Sequence, residues 1–322
     1  MKIRDYMKLH FRHFNAREAV AAAQGWVDHL ARGGKMFLTL AGAMSTAEIG
    51  ISLAKMIRQK KVAAITCTGA NLEEDVFNLL AHDEYRVVPN WRELSIPDEE
   101  ALYDQGMNRV TDTCIPETIM KHIDARLLAA WRGAEAKGIA KGPYQFMREL
   151  LQDATLHKHF RIPSEHSWLL AAHEADIPVF VPGWEDSTLG NKFASHVITG
   201  RLEGHNVVKT GTEQMQELAA WYVAQAKAKT PIGFFQIGGG IAGDFPICVV
   251  PMLIQDVEDE ATPFWAYFAQ ITDAQPSFGG YSGAVPSEKI TWGKLDRSSP
   301  RYCINSDASI VAPLIFSYVL DE

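Results

Sequence analysis

A repeating unit governs what this chain can become: an apolar run of strand length, a turn of small residues, an amphipathic helix, then another apolar run. The first copy is "KMFLTLAGAM" followed by "STAEIGISLAKMIRQKK", and "VAAITCTGA" followed by "NLEEDVFNLLAH" comes directly behind it. Strand runs that lack polar alternation are buried on both faces. Strands separated by helices pair in parallel, because the crossover helix returns the chain to the same end of the sheet. The unit resumes further on. "SEHSWLLAAHEAD" predicts a helix with Ser164 as its cap, "IPVFVPG" a strand, "TEQMQELAAWYVAQAKAK" a helix, and "PIGFFQIGGG" a strand running into Gly238, Gly239 and Gly240. "PFWAYFAQI" and "RYCINS" read as strands, and "DASIVAPLIFSYVL" as an apolar closing helix. Upstream, Asn15 is placed to cap "AREAVAAAQGWVDHLARGG", which Gly33 and Gly34 end.

These elements predict an α/β fold: a doubly wound, Rossmann-like and mostly parallel sheet with helices on both faces. The expected organisation is a single domain over residues 1–322 with a helical insertion at about 91–160, where "PETIMKHIDARLLAAWRGAEAKG" is the longest periodic stretch. The net charge of −8 and the lack of a lysine-rich tract argue against a nucleic-acid partner, since such binding rests on phosphate neutralisation. A negative field suits a small cationic substrate, and equally an ordinary soluble surface. Cys67, Cys114, Cys248 and Cys303 form no C-x-x-C pair, and His157 and His159 are two apart, off a common helical face, so no metal site is expected. Reduced, buried cysteines fit a cytoplasmic protein. "MKIRDYMKLHFRHF" has no apolar core of leader length, and no apolar run reaches membrane-spanning length, so no membrane association is expected.

In open parallel sheets, ligands sit beyond the carboxyl ends of the strands. The loops expected there are "AGAMS", "CTGANLEED", "GWEDSTLGN" and "IGGGIAGD". No G-x-G-x-x-G follows the first strand. The glycine triplet either lets backbone amides approach a phosphate or makes a tight crossover, with nothing in the spacing to choose. Glu73 and Glu74, with Asp75, read most simply as acids at the start of a helix, favoured by its dipole. Asp186 reads as a cap for the helix that follows it. Lys294, in "TWGK", is either a surface charge or a nucleophile beneath an aromatic wall.

Five stretches in this order resemble the deoxyhypusine synthase family: "CTGANLEED", "IPVFVPGWEDSTLGN", "IGGG", "SGAVPSEKITWGK" and "NSDASIVAPLIF". The resemblance runs from about Ala16 to the end of the chain and implies much about function. NAD is the implied cofactor, and Lys294 the implied covalent nucleophile, which takes an alkyl group from an oxidised amine as an imine and passes it to a second amine. Glu288 matches a substrate-amine carboxylate and Trp292 an aromatic neighbour of the substrate. Thr68, Gly69, Glu73, Glu74, Asp186, Gly238, Gly239, Gly240, Asp307 and Ala308 match cofactor contacts. A homotetramer with its active sites between subunits is implied as well.

Departures from the family pattern cluster on the amine side. Asp244 stands where the protein-modifying members carry histidine, Cys248 where they carry asparagine, Asn191 where they carry aspartate, and Tyr281 replaces an acid. The expectation is therefore a transferase joining small cationic amines, such as two putrescines or two agmatines. The alternative is deoxyhypusine synthesis, with aminobutyl transferred from spermidine to a protein lysine. A polyamine or NAD binder without catalysis and an ordinary NAD dehydrogenase are further readings.

Overall fold

The computed structural model describes residues 1–276 and 279–322. Its centre is a six-stranded sheet made of β1 (Lys35–Leu40), β2 (Ala64–Cys67), β3 (Val179–Phe180), β4 (Ile232–Ile237), β5 (Tyr267–Thr272) and β6 (Arg301–Asn305). The spatial order is β3-β2-β1-β4-β5-β6. Every neighbouring pair is parallel. The chain walks outward from β1 to one edge, then crosses back and fills the other side from β4 onward.

Alternate residues of each strand enter two cores. Met36, Leu38 and Leu40 of β1, Phe235 and Ile237 of β4 and Ala269 and Ile271 of β5 face one core, closed by the helices Phe14–Ala31, Gly50–Arg58 and Ala308–Leu320. Phe37, Phe234 and Phe268 face the other, under the helix Gly211–Lys227 and the segment from Gly240 to Pro251. Those three rings occupy matched register positions on β1, β4 and β5 and stack at 5.7 and 5.9 Å. Trp265 meets the column edge-on and fixes its indole by donating to the Ile247 carbonyl at 3.1 Å.

One row of this second face is polar. Thr66, Thr39, Gln236, Gln270 and Cys303 are register partners in succession across the sheet, two residues further along than the phenylalanines. Thr39, Thr66 and Gln236 are fully buried and Gln270 almost so. The glutamines find partners, described below. The Thr39 and Thr66 hydroxyls find none within the chain.

Several local expectations are corrected. The 91–160 stretch holds the long helix Met120–Lys137, ended by Gly138 in the left-handed region at φ 62°, but it is not purely helical. Met107–Val110 and Thr113–Pro116 form an antiparallel hairpin, joined at its edge by Arg86–Val87. Asn15 does not cap the helix Phe14–Ala31; it lies in the first turn and its amide donates to the Asn305 carbonyl at 2.8 Å. Ser167, not Ser164, caps Trp168–Glu174 by accepting from the Leu170 amide. Ser187, not Asp186, caps Thr188–Ile198 by accepting from Gly190. In each case the cap is the residue whose extended backbone lets the hydroxyl turn back on the first helical amides. No helix among the described residues is long and apolar enough to cross a membrane.

Replacing a buried hydroxyl that has no partner by a methyl removes a desolvation cost. Thr66→Val should raise the unfolding free energy by about 1 kcal/mol, read as a higher urea midpoint at unchanged slope.

Candidate active site

The loops leaving the carboxyl ends of the strands gather most of the expected cofactor residues on one rim. Thr68 caps the helix Gly69–Ala81: its hydroxyl accepts from the Asn71 amide and donates to the Gly42 carbonyl at 2.7 Å, tying the loops after β1 and β2 together. Gly69 is required by a close approach, since a Cβ there would lie 2.7 Å from that of Ser187. Gly238 and Gly240 adopt positive φ, 72° and 54°, and Gly239 lies so close to the next loop that a Cβ would fall 1.8 Å from Ser282 Oγ. Asp186 is exposed, and its amide donates to the Gly183 carbonyl. Asp307 caps the helix Ala308–Leu320, accepting from the Ser309 amide at 2.7 Å, and Ala308 is half-buried beside it.

Glu73 and Glu74 stand just behind this rim. They lie one turn inside Gly69–Ala81, buried, and act on other segments. The two Glu73 oxygens accept from the Thr188 and Leu189 amides at 3.0 and 2.8 Å, so the carboxylate seals the start of the helix Thr188–Ile198. Glu74 accepts from the Thr46 amide at 3.2 Å. Asp75 accepts from the Ser167 hydroxyl and from the Trp168 and Leu169 amides, doing the same for Trp168–Glu174. The helix-dipole argument applies, but to the helices these acids face and not to their own. Burial raises all three carboxyls, Glu74 to about 7 and Asp75 to about 6, against the opposing pull of those hydrogen bonds.

The second assembly surrounds Lys294. Gly293, at φ 66°, turns the chain so that the Lys294 amide donates to the Lys289 carbonyl at 3.0 Å. The Lys294 side chain is then directed inward, and the residue is only 7% exposed. Its Nζ donates to Asp244 Oδ1 at 3.0 Å. Asp244 sits one turn into the helix Gly240–Ile247, which starts at the glycine triplet, so the rim and the lysine are joined through a single short helix. Cys248 lies one turn further on, its thiol 3.5 Å from the same Asp244 oxygen and pushed above its ordinary range by burial.

These groups line a cavity of about 350 Å³ with Glu288, Tyr281, Trp292 and Lys289. The aromatic wall differs from the expectation. Trp292 is 63% exposed, with its ring centroid 5.8 Å from Lys294 Nζ, at the mouth. Tyr281 is the inner wall: its ring lies 5.3 Å from Lys294 Nζ and its hydroxyl donates to Gln236 Oε1 at 2.7 Å. Glu288 is exposed at the edge. Asn191 is not part of this cavity within the chain. It lines a separate one of about 680 Å³ with Trp184, Phe193 and His205, and donates to the Ser187 carbonyl. The larger space lacks a buried amine, since Lys209 on its wall is paired with Glu217.

Lys289 went unnoticed in the sequence. It is 2% exposed and its Nζ lies 4.8 Å from the centroids of both Phe268 and Tyr281. Its polar neighbours are Gln270 Oε1 at 3.4 Å and the Ala284 carbonyl at 3.5 Å. Burial first, and then the charge of Lys294, lower its ammonium from 10.5 to about 8. The available signal was its position five residues before Lys294, within the same short patterned stretch. Among the described residues, no group of His, Cys, Asp or Glu is arranged to hold a metal ion.

With this geometry in view, comparison with known proteins is decisive. The family model for deoxyhypusine synthase matches residues 3–319. The chain belongs to the deoxyhypusine synthase family. A deoxyhypusine synthase-like protein of Cyanothece sp. is 30% identical over 88% of this chain and 70% of its own length. A protein named probable deoxyhypusine synthase 1 of Archaeoglobus fulgidus is 27% identical over 96% of this chain and 90% of its own. A crystal structure from Entamoeba histolytica assigned to deoxyhypusine synthase shares the fold, with a TM-score of 0.59 at 13% identity, covering 99% of this chain and 92% of that one. Membership of the deoxyhypusine synthase family implies a transferase.

Two outcomes follow from the buried charges. A lysine held at about 8 makes the unfolded chain bind more protons between pH 8 and 10.5, so stability rises across that window and the cost is fully present below it. Relative to Lys289→Met, the wild type should gain on the order of 3 kcal/mol between pH 8 and 10.5, measured by urea unfolding at each pH. Glu73→Ala should cost roughly 1–3 kcal/mol, with hydrogen exchange accelerating first in residues 188–198.

Proposed function

We propose that the chain is an NAD-dependent aminoalkyl or guanidinoalkyl transferase that condenses small amines through a lysine-imine on Lys294. Two putrescines would give homospermidine, and two agmatines a bis-guanidino secondary amine, with ammonia released. The observation that carries the reading is the pairing of buried Lys294 with half-exposed Asp244, set in a cavity edged by Glu288 and joined by one helix to the glycine rim.

The rim fits a dinucleotide. The strand order reverses between β1 and β4, the switch point where parallel sheets of Rossmann type take such ligands. The loops on either side, at Gly42 and Gly240, have positive φ and open space where a Cβ would be. Thr68, Gly69, Asp186, Gly238, Gly239, Gly240, Asp307 and Ala308 are the residues that would hold it. Bound NAD supplies the acceptor, and later the donor, of the hydride at the amine carbon.

The chain's own residues supply the transfer. Lys294 Nζ, once its proton has left toward Asp244, adds to the electrophilic carbon of the oxidised amine. The carbon–nitrogen bond to the departing amine breaks with a proton moving to that nitrogen, and the alkyl group remains on Lys294 as an imine. Asp244, once it has passed that proton to the departing nitrogen, is a carboxylate again and free to hold the ammonium or guanidinium of a substrate. Tyr281 keeps water from the inner face, and its ring attracts the cationic chain. A second amine adds to the same carbon and frees the lysine.

A homotetramer would cover exposed apolar residues such as Ile241, Val285 and Trp292. Family membership alone favours a second reading, aminobutyl transfer from spermidine to a protein lysine. The purified protein should be incubated with NAD and putrescine, agmatine or spermidine, with and without a protein acceptor, and the products read by mass spectrometry. A condensed amine is expected, together with a borohydride-trapped adduct on the Lys294 peptide. Lys294→Ala should lower turnover by at least about 10³-fold and abolish the adduct. Label found only on a protein would establish the second reading, and no transfer to any acceptor would overturn both.

A further inference from the structure

We propose that Lys289 is an anion-binding group of the same cavity, so that one of the two amines joined there carries a carboxylate; this rests on reading Lys294 as the nucleophile. The charges lining the cavity make the case. Asp244, Glu288, Lys289 and Lys294 are its ionisable side chains apart from Tyr281 and Cys248. Lys294 matches Asp244 at 3.0 Å. A lysine that attacks carbon has given up its proton, first to Asp244 and then to the departing amine, so once that amine has left protonated the cavity holds two carboxylates and one cation, Lys289. The carboxylates suit the ammonium ends of substrates. Lys289 has no such match among the described residues.

Its surroundings show the deficit. The ammonium sits between two rings, with two acceptors at 3.4 and 3.5 Å and, among the described residues, no carboxylate at salt-bridge distance. An ammonium buried that deeply without a counter-ion is costly, and the protein answers by weakening its hold on the proton. The other ionisable groups acting on it are Lys294, which disfavours its charge, and Cys303, Glu288 and Asp244, which favour it more weakly. A ligand carboxylate would complete the pair, whereas a further ammonium would be repelled. Both lysine nitrogens lie within 5.3 Å of the Tyr281 centroid, so they are at most about 10 Å apart, an interval that a short diamino acid bridges. A phosphate would meet only one cation there once Lys294 is neutral.

The test uses matched pairs that differ by one carboxylate: putrescine and ornithine, 1,5-diaminopentane and free lysine, agmatine and free arginine. Binding to the full-length protein with NAD is measured by titration calorimetry in two buffers of different ionisation enthalpy, so that proton uptake is read alongside affinity without turnover. At least one carboxylated member should bind, and at pH 8 to 9 should draw a proton onto the protein. Lys289→Gln should weaken that member about tenfold or more, remove the proton uptake and leave the plain diamine unchanged or tighter. Lys289→Arg should keep the preference. Equal loss for both members of a pair, or failure of the wild type to bind any carboxylated member, overturns the proposal. The wild-type comparison decides even if a variant does not fold. Loss of the Lys294 adduct chemistry with the carboxylate preference intact would instead sink the functional reading and leave the binding site standing.

Discussion

A single polar row across an otherwise apolar sheet organises this molecule. Gln236 and Gln270 are neighbours at matched register on the two strands beneath the loop that carries Lys294, and both are buried where aliphatic residues would ordinarily be. Gln236 accepts from the Tyr281 hydroxyl and donates to the Gly238 carbonyl at 2.7 Å. Gln270 donates to the Ala284 carbonyl and faces Lys289. The loop that carries Lys294 is thereby pinned to the floor of the sheet by side chains whose hydrogen bonds depend on this register. A slip of one residue between β4 and β5 would turn a glutamine into the opposite apolar core. The parallel pairing and the shape of the cavity are thus set by the same hydrogen bonds.

The strands and most crossover helices were legible because long apolar runs and small-residue turns leave few alternatives. Lys294 was legible because its tripeptide lies in a highly patterned stretch. What escaped depended on partners distant in the chain. The two glutamines read as single polar interruptions of strands, and only their register reveals a pair. Glu73, Glu74 and Asp75 read as acids serving their own helix because sequence shows which helix a residue is in, not which one it faces. The hairpin at 107–116 was hidden because its first strand, with Asn108 and Arg109, is partly exposed and lacks a strand's apolar signature, and its second, though mostly buried, is only four residues long. That Tyr281 forms the inner wall escaped for a similar reason: both it and Trp292 are aromatic, but only Tyr281 has an internal acceptor, Gln236, to hold its hydroxyl beneath the loop.

Electrostatically, the cavity is a compromise between two lysines and the surfaces that bury them. Lys294 keeps its charge company with Asp244, on a helix that belongs to the glycine rim, while Lys289 relies on ring faces and amide oxygens. The arrangement places one amine beside a proton acceptor and leaves the other beside groups that can neither take a proton nor cancel its charge.

The close fit of Gly239 against Ser282 has a mechanical corollary. Two loops from different strands, one following the glycine triplet and the other leading to Lys294, meet at a point with no room for even a methyl group. Any side chain at Gly239 would force the two apart, so a change there would be felt at once on the glycine rim and in the turn that carries Lys294.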